Sequence, residues 1–214
     1  MNGAYKGVIF DFNGTLIDDC NLCLKILNFL CKEYGIKRVS KKKYLDIFTF
    51  PVYLYYKALG FNTNEEEFKA VGAKFHAYYN DLSYKEVKLF KNVIKVLDAL
   101  KGKYTLVCLS ASHQKTLEKQ LEFYGIYDYF DFVVGLNDTL ANSKEQVAIN
   151  FVKNNNIKGS ETLFIGDSIH DLEVANAIEA SCYLLSTGHT SKKRLLNETK
   201  NVITDIKKVL KIVK

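Results

Sequence analysis

Short runs of β-branched and aromatic residues alternate along the chain with longer segments whose apolar positions recur every three to four residues. The short runs predict strands, and the longer periodic segments predict helices. The predicted strands are Gly7–Phe10, Tyr104–Leu109, Phe132–Val134, Thr162–Ile165, Cys182–Leu185 and Val202–Ile203. The predicted helices are Asn92–Lys101, Gln114–Tyr124, Lys144–Asn154, Leu172–Ile178 and Asp205–Val213. This alternation indicates an α/β fold with a doubly wound, Rossmann-like parallel sheet.

One region, residues 19–84, breaks the alternation and shows no strand pattern. Leu22, Ile26 and Leu30 recur there at helical spacing, and Asn64 with Glu67 predicts a capping box at the start of a further helix. We therefore expect residues 19–84 to form an inserted helical cap domain. The catalytic core is then expected to comprise residues 1–18 and 85–214.

Composition narrows the class of protein. No apolar stretch approaches the ~18 residues of a membrane span, which argues against a membrane protein. Only two of the 30 basic residues, Arg38 and Arg194, are arginine, which argues against a nucleic-acid partner because base and phosphate recognition rely on arginine. The five cysteines are odd in number and lie mostly among apolar residues, and the N-terminus has no signal-peptide pattern. We expect a cytoplasmic protein.

Carboxylates follow two of the predicted strands. The first strand is followed by Asp11 and Asn13, and the fourth by Asp167 and Asp171. Ligands of open α/β sheets bind beyond the carboxyl ends of the strands, and carboxylates gathered there suit a hard cation such as Mg²⁺. The ordinary alternatives are a turn residue for Asp11, a helix cap for Asp167 and a solvated side chain for Asp171.

Two further segments supply hydroxyl and amino groups. The second predicted strand leads into Ser110-Ala111-Ser112, where we expect a helix to start and to offer backbone amides and a hydroxyl to an anion. Ser143 and Gln146 predict a capping box that places Lys144 in the first turn of the next helix. A cation is unfavourable at that end of a helix, which favours a ligand-binding role for Lys144 over a surface position.

Together, the four segments resemble the motifs of the haloacid dehalogenase superfamily, and in particular its phosphoglycolate phosphatase-like branch with a small helical cap. The resemblance covers the whole chain and includes the position of the helical insertion. It implies that Asp11 is a nucleophile that forms an aspartyl-phosphate intermediate. It also implies that Asp11, the backbone carbonyl of Asn13 and Asp167 hold Mg²⁺, with Asp171 supporting the ion directly or through water.

The same resemblance assigns the substrate contacts. Ser110 and Lys144 are expected to bind phosphoryl oxygens, and Phe12, Asn13 and Ala111 are expected to be substrate-binding residues. Residues 19–84 hold ten basic and seven acidic side chains, so the cap carries half of the chain's net charge of +6. This favours a small anionic phosphorylated metabolite as the substrate.

The chain departs from the family pattern at Asn13. Phosphatases of the family normally have a second aspartate there, which moves protons, and general acid–base catalysis contributes ~10²–10⁴-fold. A natural asparagine would require good leaving groups or another proton carrier, for which His113 and His76 are candidates. The remaining possibilities are a deliberate replacement of an aspartate, a related chemistry on phosphonates or haloacids, and partial deamidation at Asn13-Gly14.

We therefore expect a Mg²⁺-dependent phosphoric monoester hydrolase. The alternatives are a non-catalytic binder of phosphoryl ligands and a phosphonate hydrolase, which needs a lysine in the cap; mutase activity is disfavoured because it depends on the missing acid. Cys20-x-x-Cys23 is interpreted as a packed helix face rather than a metal site, since no second pair and no nearby histidine accompany it.

Overall fold

The computed structural model of the chain describes residues 5–136 and 143–214. Within these ranges the strands are β1 (Gly7–Phe10), β2 (Thr105–His113), β3 (Phe132–Leu136), β4 (Thr162–Gly166), β5 (Ser181–Leu185) and β6 (Val202–Ile203). They form one sheet in the order β3-β2-β1-β4-β5-β6, and every neighbouring pair is parallel. The expected doubly wound α/β fold is confirmed.

Five helices lie between β1 and β2 within the described ranges: α1 (Cys20–Glu33), α2 (Lys41–Ile47), α3 (Tyr53–Leu59), α4 (Glu65–Glu86) and α5 (Val93–Leu100). The later helices are α6 (Gln114–Phe123), α7 (Lys144–Asn154), α8 (Ile169–Ala177), α9 (Lys192–Glu198) and α10 (Val209–Ile212). The short, highly charged α9 was not predicted. No helix in the described ranges has the length and apolar content needed to cross a membrane.

The sheet is covered on both faces, which explains why its strands are almost uniformly apolar. Successive side chains of β1 point to opposite faces. Val8 and Phe10 belong to one apolar cluster, which includes residues of α1, α5 and α6, whereas Ile9 belongs to a second, which includes residues of α7 and α8. Both faces of the central strand are therefore buried.

The helices between β1 and β2 follow from apolar stripes at helical spacing. In α1, Leu22, Ile26 and Leu30 are buried on one face, and this helix packs against α4. Helix α4 begins where it was predicted: Asn64 Oδ1 accepts a hydrogen bond from the backbone N–H of Glu67 at 2.8 Å. The predicted capping box forms only in part, because Glu67 Oε1 accepts from the Asn64 side-chain amide at 3.2 Å and not from its backbone.

The expected end of β2 was wrong. The strand continues to His113, which pairs with Leu136 of β3 after an irregularity in the register, and α6 begins only at Gln114. Ser110 therefore lies within a strand and not at a helix N-terminus. Pairing with β3 overrides the weak strand propensity of the Ser-Ala-Ser segment.

The helix start at Lys144 was predicted correctly, but only one of the two hydrogen bonds of the predicted capping box forms. Ser143 Oγ accepts a hydrogen bond from the backbone N–H of Gln146 at 3.2 Å. The Gln146 side chain donates to Asn150 at 3.1 Å instead of returning to Ser143. Ser143 alone thus caps α7.

Strands β1 and β4 lie side by side at the centre of the sheet, and the strand order reverses between them. Phe10 of β1 is paired with Ile165 of β4, so the residues that follow these two strands emerge next to each other. Open α/β sheets bind ligands in the crevice at this switch point.

Candidate active site

Asp11 leaves the end of β1 directly into the crevice and is only 6% exposed. Lys144, the first residue of α7, is also buried, and its Nζ donates hydrogen bonds to Asp11 Oδ1 and, at 2.6 Å, to Asp171 Oδ1. The ammonium group also lies 5.6 Å from the centre of the Phe164 ring. The cation at the start of α7 therefore serves the carboxylates at the strand ends and does not reach solvent.

The loop after β4 is organised by Asp171. Its Oδ2 accepts hydrogen bonds from Ser168 Oγ at 2.7 Å, from the Ser168 backbone at 3.0 Å and from the Asp167 backbone at 3.1 Å. Ser168 and Asp171 form a complete capping box at the start of α8. Ser168, not Asp167, is thus the cap, and Asp171 is buried rather than solvated.

Asp167 lies at the bottom of the crevice, where two glycines allow a close approach. Its Oδ2 accepts a hydrogen bond from the backbone N–H of His189, and its Oδ1 accepts from Thr15 Oγ1 at 3.4 Å. A Cβ at Gly188 would collide with the Asp167 carboxylate, and a Cβ at Gly14 would come within 2.6 Å of Asp167 Oδ2. Only glycine leaves room for this carboxylate at either position.

The carboxylates of Asp11, Asp167 and Asp171 bring oxygen atoms to within 4.8 Å of one another. Burial raises the pKa of Asp11 to about 7 and that of Asp167 to about 8. Burial also acts to raise the pKa of Asp171, but the Lys144 ammonium and the hydrogen bonds from Ser168 together more than offset it, and the pKa stays below its ordinary value. The ammonium bonds two of the three carboxylates, whereas Asp167 accepts from the His189 backbone. The oxygen donors of the three carboxylates fit a hard divalent cation.

A second cluster, formed by Asn13, Asp19, Tyr79 and His189, adjoins the carboxylates. Asn13 Nδ2 donates to Asp19 Oδ2 and to the Tyr79 hydroxyl, each at 2.8 Å, and Asn13 Oδ1 accepts from Ser112 Oγ at 3.2 Å. Because an ionised carboxylate only accepts hydrogen bonds, the amide nitrogen of Asn13 must face Asp19. The orientation of Asn13 is therefore determined by its neighbours.

Asp19 is the centre of this cluster. Its carboxylate also accepts hydrogen bonds from the Gly14 backbone at 2.9 Å, Tyr79 OH at 2.7 Å and His189 Nε2 at 3.0 Å. Burial acts to raise the pKa of Asp19, but His189 lowers it below its ordinary value. Burial likewise acts to lower the pKa of His189, but Asp19 holds it well above its ordinary value. The two groups form a buried ion pair.

Sequence reasoning missed Asp19 and His189. Asp19 was assigned to the edge of the insertion, and His189 follows β5 at a great distance along the chain. Cys23 Sγ lies 3.7 Å from Asp19 Oδ2, and His189 bonds the same carboxylate. A histidine therefore does lie near the Cys20-x-x-Cys23 segment in space. A glycine–histidine step just after a predicted strand end, at Gly188-His189, was the available signal.

The remaining predicted substrate residues surround this pair of clusters. Ser110 is buried, and its Oγ accepts from the backbone N–H of Ser112 at 3.1 Å. Ala111 is exposed on the extended end of β2. The Phe12 ring is fully buried 6.3 Å from the Tyr124 ring, which leaves only the Phe12 backbone to face a substrate.

The candidate proton carriers named from the sequence are not buried in either cluster. His76 on α4 and His113 at the end of β2 are both exposed. Every lysine between residues 19 and 84 is also exposed.

Helices α2 and α4 contact the segments that follow β1 and β5 through polar groups. Tyr79 of α4 bonds Asn13 and Asp19, and Tyr44 of α2 lies 2.8 Å from His189 Nδ1 through its hydroxyl. Beyond α2, Arg194 donates to the carbonyl oxygens of Phe48 at 2.6 Å and Leu45 at 3.2 Å. Helices α2 and α4 are thus bonded to the same residues that shape the crevice.

The sequence model of the haloacid dehalogenase-like hydrolases matches residues 8–184, which include Asp11, Lys144 and the loop after β4. The chain belongs to this family. The resemblance noted from the four motifs is confirmed.

Relatives of this hydrolase cover most of its length. Pyrophosphatase PpaX of Listeria monocytogenes serotype 4a is 25% identical over 189 residues, which are 84% of this chain and 82% of the relative. Phosphoglycolate phosphatase of Aliivibrio fischeri is 24% identical over 210 residues, or 94% and 92% of the two chains. A solved structure of a predicted phosphatase from Clostridium acetobutylicum superposes with a TM-score of 0.83 at 23% identity and covers 98% of each chain. The expected enzyme class, a phosphoric monoester hydrolase, is confirmed.

Proposed function

We propose that this haloacid dehalogenase-like hydrolase is a Mg²⁺-dependent phosphatase that acts on a small phosphorylated metabolite through an aspartyl-phosphate on Asp11. The observation that carries the proposal is the bridge from Lys144 to Asp11 and Asp171 beside Asp167. Three buried carboxylates with one ammonium leave an unbalanced negative charge at a ligand-binding crevice. Such a cluster is stable in its ionised form only with a further cation.

Mg²⁺ held by Asp11, Asp167 and the backbone carbonyl of Asn13 would supply charge neutralisation to the transferring phosphoryl group. Asp11 attacks phosphorus, and Lys144 keeps the Asp11 carboxylate ionised and oriented. Asp171 fixes Lys144 and the backbone of the loop after β4. Phosphoryl transfer depends chiefly on such positioning and charge stabilisation.

Ser110 and the backbone at Phe12 and Ala111 lie at the carboxyl ends of adjoining strands, and we assign them to the phosphoryl oxygens. Residues 19–84 act as a cap over this crevice, with residues 1–18 and 85–214 as the core. Tyr79 and Tyr44 of the cap support this division because they reach the residues beside the carboxylates. The buried, unpaired cysteines suit a reducing compartment, and we assign the enzyme to the cytoplasm.

The test is phosphate release from a panel that includes 4-nitrophenyl phosphate, with and without Mg²⁺. We expect Mg²⁺-dependent release that Asp11→Asn reduces by about 10³-fold or more. Asp18→Asn, at an exposed neighbouring position, is the matched control and should retain activity. Turnover that survives Asp11→Asn would contradict the assigned nucleophile.

A second candidate, a non-catalytic binder of phosphoryl ligands, is favoured by one observation: Asn13 is hydrogen-bonded on both sides of its amide and carries no exchangeable acid. Such a binder would retain Mg²⁺-dependent binding of beryllium fluoride but would show no hydrolysis. Multiple turnovers by protein shown by peptide mapping to carry Asn13 would eliminate this candidate.

A further inference from the structure

Asn13 fits its surroundings as an amide. Its nitrogen donates to an acceptor, Asp19, and to Tyr79, whose hydroxyl donates to the same carboxylate. Its oxygen accepts from Ser112. An acid at this position would place two carboxylate oxygens 2.8 Å apart, where they cannot both be ionised. The surroundings therefore match an amide and not a carboxylate.

The groups of the second cluster that could move protons are already engaged. Asp19 accepts five hydrogen bonds, from Asn13, Gly14, Cys23, Tyr79 and His189, so both of its oxygens are occupied. The two ring nitrogens of His189 are taken by Asp19 and Tyr44, and its ring face is covered by Phe48 at 5.0 Å.

The side chains around Asp11 are engaged as well. Lys144 is bonded to Asp11 and Asp171, and Asp171 also bonds the loop after β4. Of the residues that the structure describes around Asp11, those that bridge toward the end of β2 are an amide, Asn13, and hydroxyls, Ser110 and Ser112. Apart from the proposed metal ligands, the described residues that are hydrogen-bonded to Asp11, Asn13 or Ser112 include no carboxyl or imidazole group that stands free to exchange a proton with a leaving group.

The chemistry of the leaving group then decides which donors react. When Asp11 Oδ bonds to phosphorus, the bond from phosphorus to the leaving oxygen breaks and its electron pair stays on that oxygen. A carboxylate, phenolate or phosphate leaving group is stable as an anion and departs without a proton, whereas an alkoxide requires one. In the second half-reaction, water bonds to phosphorus, the bond to Asp11 breaks with its electron pair left on the Asp11 carboxylate, and a proton of the water passes to a phosphate oxygen or to solvent. Without a base, this half-reaction is slow.

We propose that this enzyme takes phosphoryl groups from donors with anion-stable leaving groups, acyl phosphates above all, and that its Asp11 phosphoryl-enzyme accumulates because hydrolysis is slower than formation. The inference rests on the proposed function, since it requires Asp11 to be the nucleophile. The inference distinguishes this chain from an enzyme that acts on alkyl phosphate monoesters. One phosphoryl group is transferred in two steps, first from the donor to Asp11 and then from Asp11 to water.

The experiment uses the full chain, verified by peptide mapping to carry Asn13, with Mg²⁺ and three donors: acetyl phosphate, 4-nitrophenyl phosphate and glycerol 3-phosphate. Intact mass with hydroxylamine sensitivity reports the acyl-phosphate adduct, and phosphate release reports turnover. We expect adduct from acetyl phosphate and turnover of glycerol 3-phosphate at least about 10²-fold slower than that of the aryl ester.

Two variants calibrate this result. Asn13→Asp should shorten the life of the adduct by about 10²–10⁴-fold and close the gap between aryl and alkyl donors. The double variant Asn13→Asp with Asp19→Asn exchanges the two sides of one hydrogen bond at constant charge, and it serves if the single variant does not fold. Asn21→Asp, an exposed residue of α1 that bonds Lys41, is the matched control and should change neither quantity.

The outcomes separate the two proposals. Comparable turnover of alkyl and aryl donors by the Asn13 protein, or turnover without adduct, overturns the inference and leaves the proposed phosphatase intact. The inference is also overturned if Asn13→Asp is active on every donor while the Asn13 protein forms no adduct; the proposed phosphatase again stands. If neither the Asn13 protein nor its variants form adduct or release phosphate from any donor, the proposed function fails and the inference fails with it.

Discussion

Two buried polar clusters lie side by side at the carboxyl end of the sheet, and they balance charge in opposite ways. In the first cluster the Lys144 ammonium bonds Asp11 and Asp171 but not Asp167, and burial raises the pKa of Asp11 to about 7 and of Asp167 to about 8. Asp19, in contrast, accepts five hydrogen bonds and pairs with His189. The first cluster thus has more carboxylates than cations, whereas in the second one carboxylate is matched by one imidazolium. Burial of polar side chains therefore does not by itself identify a ligand site. The net charge of the buried cluster identifies the site and the sign of the ligand that it binds.

The contrast between the clusters is tested most strongly by Asp19→Asn. The substitution leaves the His189 imidazolium buried without its counter-charge and removes acceptors from several donors, so we expect a loss of about 3–5 kcal/mol in the free energy of unfolding. Urea unfolding measures the loss. Asp18→Asn, at the exposed neighbouring position, should change stability little, and an equal loss in both variants would show that Asp19 is not the centre of a cluster.

Gly188→Ala tests the first cluster without altering its charge. A Cβ at this position collides with the Asp167 carboxylate, so we expect Mg²⁺ affinity to fall by about 10–100-fold. Titration calorimetry with Mg²⁺ measures the change. Gly72→Ala in α4, where a Cβ meets nothing within 4 Å, is the matched control. Unchanged affinity in Gly188→Ala would mean that Asp167 does not hold the ion.

Asp11→Asn should affect stability with the opposite sign to Asp19→Asn. Removing one carboxylate from a cluster with excess negative charge should raise the free energy of unfolding of the metal-free protein at pH 8 by about 1–2 kcal/mol. Part of the gain is offset because Lys144 loses one partner. Urea unfolding in the presence of a chelator measures this change, and a loss of stability would show that the Asp11–Lys144 pair is stabilising.

The pH dependence of the metal-free protein tests the first cluster as a whole. The folded pKa values of Asp11 and Asp167 lie above their unfolded values, so at pH values between the unfolded and the folded pKa the folded state holds protons that the unfolded state has lost. The free energy of unfolding, and Tm with it, should therefore fall as pH rises from about 5 to about 8.

His189 adds to this fall. The folded pKa of His189 is raised, so its contribution to stability is fully present below its unfolded pKa and is lost as pH rises toward the folded pKa. Mg²⁺ should restore the stability lost through the carboxylates and should leave the loss through His189 unchanged. Thermal unfolding at several pH values, with and without Mg²⁺, distinguishes the two, and a rise in stability with pH in the metal-free protein would contradict both.

Much of this arrangement was accessible from sequence because it depends on local patterns. The apolar runs of β1 and β4 defined the sheet, and the polar residues after them placed Asp11 and Asp167 at its carboxyl edge. Lys144 stood out because a cation at a helix N-terminus is unfavourable unless a ligand or a carboxylate compensates. These inferences needed only spacing and strand polarity.

Other features depend on contacts between distant segments and could not be predicted. The end of β2 is set by its pairing with β3, which no propensity in Ser110-Ala111-Ser112 reveals. The Asp19–His189 pair joins residues 170 positions apart. Asn13 was recognised as a departure from the family pattern, but its fit to Asp19 and Tyr79 became visible only when three segments came together.

The hydroxyl groups of Tyr44 and Tyr79 bear on the rate at which the crevice can open. A motion that lifts α2 and α4 from the sheet must separate these hydroxyls from His189 and Asp19, and it must admit water to a buried ion pair. Water entering there stabilises the separated charges, so the barrier to opening depends on how well the solvent screens them. We therefore expect the rate of any such opening to depend on salt and on solvent polarity.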